Sequence, residues 1–158
     1  MIMNIHGQEV VKFLLAGNCS TRITNTITMN SFDYDIKAPD LQSLEKPGNK
    51  LYYLKTKYAT DNFMCYAGCL IVNSDFTNFT FTPGKKGVLK ENDIRVKSLL
   101  WVLRNADRIP QSVQIEHFGK CSRCGKKLTD AESIERGLGP TCYSKTCGIL
   151  FDNRRRGL

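Results

Sequence analysis

The chain has 158 residues, of which 41% are hydrophobic and seven are cysteine, and its formal net charge is +8. This composition excludes a wholly disordered chain. It contains neither a run of about 20 apolar residues nor a secretory leader, and its odd number of cysteines argues against a disulfide framework. We therefore expect a cytoplasmic protein, not bound to a membrane, whose thiols are free to hold metal and whose charge favours polyanionic partners.

The first half of the chain predicts one helix followed by antiparallel strands. Apolar residues at helical spacing predict a helix over 8–16, which Gly17 ends. The predicted strands lie at 21–28, 32–37, 50–57 and 63–72. The last of these is apolar on both faces, which predicts a central place in the sheet, with Cys65 and Cys69 as buried thiols on one face.

A second helix follows, and we expect it to pack across the sheet. Asn92 or Asp93 is the predicted cap, Trp101 lies on the apolar face, and Pro110 lies beyond the end. The predicted fold class is α+β, a small antiparallel sheet packed by one or two helices, with a carboxyl-terminal zinc finger or ribbon-like module. The predicted parts are an α+β domain at 1–112, the finger at 113–148 and a basic mobile tail at 149–158.

Three cysteines near the end of the chain have the spacing of a metal site. Cys121 and Cys124 are separated by two residues and followed by Gly125, which permits a tight turn over both sulfurs. Cys142 returns after 17 intervening residues, a normal span for the second half of a zinc module.

The segment between these cysteines predicts a short helix. Thr129 and Glu132 form a predicted capping box, and the helix over 131–136 ends at Gly137. Pro140 then turns the chain so that the third cysteine faces the first pair.

Two residues are candidates for the fourth ligand of a tetrahedral zinc ion. His117 lies four residues before Cys121, and Cys147 lies five residues after Cys142. Spacing alone slightly favours Cys147, because Cys-x4-Cys is a plausible closing turn. Either choice gives four protein ligands, which is typical of one closed, structural zinc ion.

The motif also resembles a known signature. Cys121-x-x-Cys-Gly-Lys-Lys-Leu-Thr-x-x-x-Ser-Ile-x-x-Gly-x-Gly-Pro-x-Cys142 is similar to that of an uncharacterised zinc-finger family of phage-encoded and bacterial proteins. The family's His-x-Gly-x-Cys entry matches the residues from His117 to Cys121. The resemblance implies that His117 is the fourth ligand, with Cys147 as the alternative. It brings no established activity.

No sequence pattern predicts catalysis. The chain lacks a P-loop, a nucleophile elbow, a zinc-protease helix and the deaminase pattern. A zinc ion with four protein ligands has no open position for water or substrate. We therefore predict that the protein is not an enzyme and has no small-molecule substrate.

The charge distribution predicts binding to nucleic acid, either DNA or RNA. Residues 117–158 contain nine lysine and arginine residues against four acidic residues. Phosphate contacts are predicted for the basic residues of the finger and tail: Lys120, Arg123, Lys126, Lys127, Lys145, Arg154, Arg155 and Arg156. Phe118 and Tyr143 are candidates for stacking on bases, or else belong to the finger core.

The alternative prediction is a protein-interaction module. Such a protein would be, for example, a phage factor that inhibits or redirects a host defence protein. The predicted surface is an aromatic-rich sheet carrying Tyr52, Tyr53, Tyr58 and Phe79.

Overall fold

The computed structural model describes the backbone of residues 1–57 and 63–155 and the side chains of 1–57 and 63–150. The elements in this part of the chain are β1 (Ile2–Met3), α1 (Gln8–Leu14), β2 (Asn18–Asn25), β3 (Asn30–Lys37), β4 (Lys50–Lys57), β5 (Met64–Val72), β6 (Phe79–Thr82), α2 (Ile94–Arg104), β7 (Val113–His117), α3 (Ala131–Arg136) and α4 (Pro140–Arg155). The strands form one antiparallel sheet in the order β1-β7-β2-β3-β4-β5-β6. The predicted α+β class is confirmed. None of the described helices is both long and apolar enough to cross a membrane.

The sheet buries one face and leaves the other open. Alternate residues of each strand point into a single core, as Tyr52, Leu54 and Thr56 do in β4, while the residues between them are exposed or half-buried. Residues of α1 and α2 belong to the same core, so these helices lie on the buried face. Period-two alternation in an antiparallel sheet with one covered face produces this pattern.

Helix α2 packs on the sheet as predicted, but its apolar face differs from the predicted one. Asp93 caps the helix by accepting a hydrogen bond from the backbone N–H of Arg95 at 2.9 Å. The hydroxyl of Tyr34 in β3 donates to the carbonyl of Arg95 at 2.7 Å. Ile94 and Trp101 are exposed, with Trp101 at 44%. They therefore lie on the outer side of the helix.

Strand β5 differs from the prediction in its place in the sheet and in a β-bulge that interrupts it. The strand pairs with β4 and β6 and lies one strand from the sheet edge, not in the centre. Leu54 pairs with Gly68, whereas Lys55 pairs with Tyr66, so Ala67 is an extra residue. The alternation of side chains between the two faces of the sheet therefore shifts by one residue at Ala67.

The two cysteines of β5 consequently lie on opposite faces. Cys65 pairs with the buried Thr56, and Cys69 pairs with the exposed Tyr53. Both thiols are half-buried, so the prediction of two buried thiols on one face is wrong.

Strand β7 connects the sheet directly to the cysteine motif. It pairs with β2 on one side and with β1, which the sequence did not predict, on the other. The predicted boundary after residue 112 would separate this strand from its partners. The chain therefore enters the motif from a fixed strand.

The buried hydroxyl of Tyr52 provides a test of the core. It donates to the carbonyl oxygen of Leu15, at the end of α1, at 2.7 Å. Tyr52→Phe removes this donor inside the core, so we expect the free energy of unfolding to fall by about 1–3 kcal/mol. Tyr53→Phe is the matched control, because this neighbouring tyrosine of β4 is 40% exposed. Denaturant unfolding measures both, and equal losses would contradict this assignment.

Candidate metal centre

Cys121 and Cys124 lie on a tight turn that begins just after β7. The N–H of Gly125 donates to the carbonyl of Cys121 at 2.9 Å, and the N–H of Cys121 donates to the carbonyl of Lys126 at 2.8 Å. Gly125 has a φ of 79°, in the left-handed region that favours glycine. This turn directs both sulfurs to the same space.

Cys142 reaches that space from the first turn of α4. The helix begins at Pro140, a position where proline is favoured because its missing N–H would have no partner. The sulfurs of Cys121, Cys124 and Cys142 all lie within 4.8 Å of one another. Thiolates at such spacing could hold one metal ion.

The electrostatics of the cluster favour a cation. Burial opposes ionisation of Cys121, but backbone N–H groups of Cys124, Gly139 and Arg123 outweigh it and lower the pKa of this thiol. Burial, hydrogen bonds within the cluster and the negative charge on Cys121 raise the pKa of Cys142 to about 12. Cys121 and Cys142 therefore do not both ionise readily by themselves, and a bound metal ion would replace their protons.

The structure does not bring His117 to the three thiols. Its Nδ1 accepts a hydrogen bond from the N–H of Gly119 at 2.9 Å, and its Nε2 lies 2.5 Å from the carbonyl oxygen of Ile134. The ring is buried beside Phe13, and burial lowers its pKa. To act as the fourth ligand, His117 would have to break at least one of these hydrogen bonds.

Cys147 is also outside the cluster. It lies five residues after Cys142 on α4. Five residues turn a helix by about 500°, so the two side chains point about 140° apart around the axis. Its helix α4 packs against α1. Within the described side chains, no fourth cysteine, histidine or carboxylate joins the group of three.

The helix between the cysteines has the predicted bounds but a different cap. α3 spans Ala131–Arg136, and Asp130 accepts the hydrogen bond from the N–H of Ser133 at 3.0 Å. The Thr129–Glu132 capping box is therefore wrong by one residue. Gly137 ends the helix at φ 72°, as predicted. A Cβ there would lie 2.4 Å from the ring of Phe13, so close packing on α1 also requires glycine.

The cysteine motif is packed against α1. Ala16 shares a buried cluster with Cys121, Leu128 and Leu138. The hydroxyl of Tyr143 donates to Glu9 of α1 at 2.9 Å.

The two predicted stacking residues have different surroundings. The guanidinium of Arg136 lies 3.8 Å from the ring centre of Tyr143, and Lys12 approaches the same ring. Tyr143 therefore belongs to the contact with α1. Phe118 is 49% exposed, with Arg22 near its ring.

Most predicted phosphate-binding residues of the finger are at the surface. Lys120, Lys126, Lys127 and Lys145 are exposed. Arg123 is not: its side chain is buried, and its guanidinium lies 3.9 Å from Glu45. The prediction for Arg123 is wrong in this respect, because a buried guanidinium cannot reach a phosphate without rearrangement.

The predicted mobile tail is largely helical. α4 continues through Arg155, so Arg154 and Arg155 lie on its last turn. Arg156 lies outside the described residues. The sequence predicted a turn at Pro140, but this residue is the first of α4, a position that favours proline. Gly148 lies within the helix, where glycine has low propensity.

The aromatic surface predicted for a protein partner is mostly absent from the exterior. Tyr52 and Phe79 are buried, and Tyr53 is exposed. Tyr58 lies outside the described residues. A partner would thus meet only one of the three described rings.

Residues 115–146 match a protein family of unknown function, DUF6011. The matched segment runs from β7 into α4 and contains His117 and the three clustered cysteines. Neither a curated protein nor a solved structure matches the chain. The match agrees with the predicted resemblance to an uncharacterised family and covers the cysteine motif, not the rest of the sheet.

Two cysteines on α4 allow a matched test of the metal centre. We expect Cys142→Ser to weaken metal binding by at least about tenfold, because it removes a ligand. Cys147→Ser should keep the metal content of the parent, because this thiol lies outside the group of three. Elemental analysis of protein purified without chelator measures both. Loss of metal from Cys147→Ser would return Cys147 to the ligand set.

Proposed function

We propose that the protein binds nucleic acid through a zinc-stabilised finger and is not an enzyme. One structural Zn²⁺ would be held by Cys121, Cys124 and Cys142. Thiolates are soft ligands, and zinc accepts tetrahedral sulfur coordination without redox chemistry. His117 and Cys147 stay the protein candidates for the fourth position, at the cost of rearrangement for either.

The basic surface beside the metal centre supports this proposal. Lys120 and Lys127 bridge the two sides of the turn, and Lys126 is adjacent to them. All three are exposed, and none forms an ion pair with a carboxylate in the described part of the chain. Cys124, on the same turn, is exposed too. The outer side of the metal centre therefore carries uncompensated positive charge, which attracts phosphates.

The arginines at the end of α4 would form a separate patch. Twelve residues of helix separate Arg154 from Cys142, a distance of about 18 Å along the axis. The finger lysines and this helix end would thus contact different phosphates. Such contacts position a nucleic acid without reading its sequence. Phage origin and cytoplasmic location stay predictions from the sequence.

The finger lysines provide the test. Lys126→Ala/Lys127→Ala should weaken duplex DNA binding and reduce the slope of log affinity against log salt by about 0.9 for each phosphate that the variant no longer neutralises. Lys90→Ala/Lys97→Ala is the control, because these two exposed lysines lie in and just before α2. Fluorescence anisotropy at several salt concentrations measures the slopes, and metal content should stay that of the parent.

Two results would contradict the proposal. The finger variant could match the parent on every nucleic acid, which would make its charge a solvated surface. The parent could bind no nucleic acid at all, which would favour the protein-interaction alternative.

A further inference from the structure

The open face of the sheet carries a groove that lies on elements other than the finger. Its volume is about 640 Å³, and it extends across β3, β4 and β5 to the turn after β6. The lining residues used below are Lys37, Tyr53, Lys55, Tyr66, Lys85 and Lys86. All four lysines are exposed.

The strand register places basic and aromatic side chains next to each other. Lys37 of β3 lies opposite Tyr53 of β4, and Lys55 of β4 lies opposite Tyr66 of β5. Directly opposite residues have Cβ atoms about 4.5–5.5 Å apart, so each ring has an ammonium group within reach.

The rings of Tyr53 and Tyr66 differ in their contacts and in their exposure. Their centroids are 6.3 Å apart in an edge-to-face arrangement. The hydroxyl of Tyr66 lies 3.0 Å from the sulfur of Cys69, which holds that ring in place. Tyr53 is 40% exposed and is therefore the ring that can present a face to a ligand.

Close packing holds the turn that carries Lys85 and Lys86 against β5. A Cβ on Gly87 would lie 2.5 Å from the carbonyl oxygen of Ala67, the extra residue of the bulge. The N–H of Val88 donates to the carbonyl of Tyr66 at 3.3 Å. The bulge thus brings this basic turn to the edge of the groove.

The groove carries a net positive charge. Asp35 is the only carboxylate among the lining residues, and it lies opposite Lys55 in the strand register, so its charge offsets one of the four lysines. The nearby Asp33 is paired with Arg22 at 2.6 Å and Lys57 at 3.0 Å. The four lysines form no ion pair with a described residue. The groove therefore suits a polyanion.

We infer that this groove binds single-stranded nucleic acid. The lysines contact successive phosphates, and a base stacks on Tyr53. A neutral ring surrounded by lysines favours a strand with unpaired bases, because duplex bases are stacked on each other and cannot cover a protein ring. An acidic peptide would satisfy the lysines but would not need the ring. This site does not rest on the finger.

The ring is tested with two substitutions in the full chain. Tyr53→Leu should weaken binding of a labelled oligothymidine by about 5-fold to 150-fold, because the variant cannot stack on a base. Tyr53→Phe keeps the ring and should bind like the parent. Neither substitution should change duplex binding, and Tyr53→Phe should keep the melting temperature of the parent. Fluorescence anisotropy and thermal unfolding measure these effects.

The lysines are tested separately. Lys85→Ala/Lys86→Ala should flatten the salt dependence of single-strand binding by about 0.7 for each phosphate that the variant no longer neutralises. If Tyr53→Leu and this variant both bind oligothymidine like the parent, the inference is wrong. It is also wrong if polyglutamate competes as well as oligothymidine and Tyr53→Leu has no effect, since the groove would then recognise charge alone.

The finger variant separates this inference from the proposed function. If Lys126→Ala/Lys127→Ala alone abolishes single-strand binding, the finger proposal stands and the groove inference fails. If only the groove variants weaken single-strand binding and the finger variant leaves duplex binding intact, the groove inference stands and the finger proposal fails.

Discussion

The buried side chain of His117 joins the sheet to the cysteine motif. The residue ends β7, whose backbone pairs with two neighbouring strands. Its ring bonds to the N–H of Gly119 at the start of the motif and to the carbonyl of Ile134 in α3. A single imidazole therefore fixes the entry of the chain and the helix between the cysteines. The position of the sulfurs depends on this arrangement.

The cysteine motif consequently packs against the rest of the fold and is not a separate module. Gly137 packs on Phe13, and Tyr143 bonds to Glu9, so two of its elements rest on α1. The N–H of Asn18, at the start of β2, donates to the carbonyl of Ser122 at 2.8 Å. Metal binding and folding are coupled where ligands come from separate elements. Because α1 belongs to the main core, such coupling in the proposed zinc-bound protein would extend beyond the cysteines.

Local patterns made several elements predictable. The bounds of β4 are confirmed at both ends, because strict alternation is interrupted by turn residues on each side. α3 has the predicted bounds, and its cap differs by one residue because Thr129 and Asp130 are both good caps. The convergence of the three cysteines is confirmed, since a two-residue spacing followed by glycine defines its own turn.

Other features depend on contacts that the local sequence does not encode. The bulge at Ala67 follows from pairing with β4 and resets an alternation that looked regular along the chain. The sequence predicted Arg123 at the surface, but its side chain is buried and its guanidinium approaches Glu45, which is distant in sequence. The two hydrogen bonds of His117 likewise join segments on either side of the first cysteine pair, and neither the spacing nor the family resemblance that favoured it as a ligand predicts them.

Helix α4 is attached both at its beginning and further along its length. Cys142 lies at its beginning in the metal centre, and Leu150 lies two turns further on in the main core of the sheet. Loss of the proposed metal ion would free Cys142, whereas the contact of Tyr143 with Glu9 and the burial of Leu150 would stay. Local opening would then start at Pro140 and fade toward Leu150, giving a gradient of amide hydrogen-exchange protection along one helix.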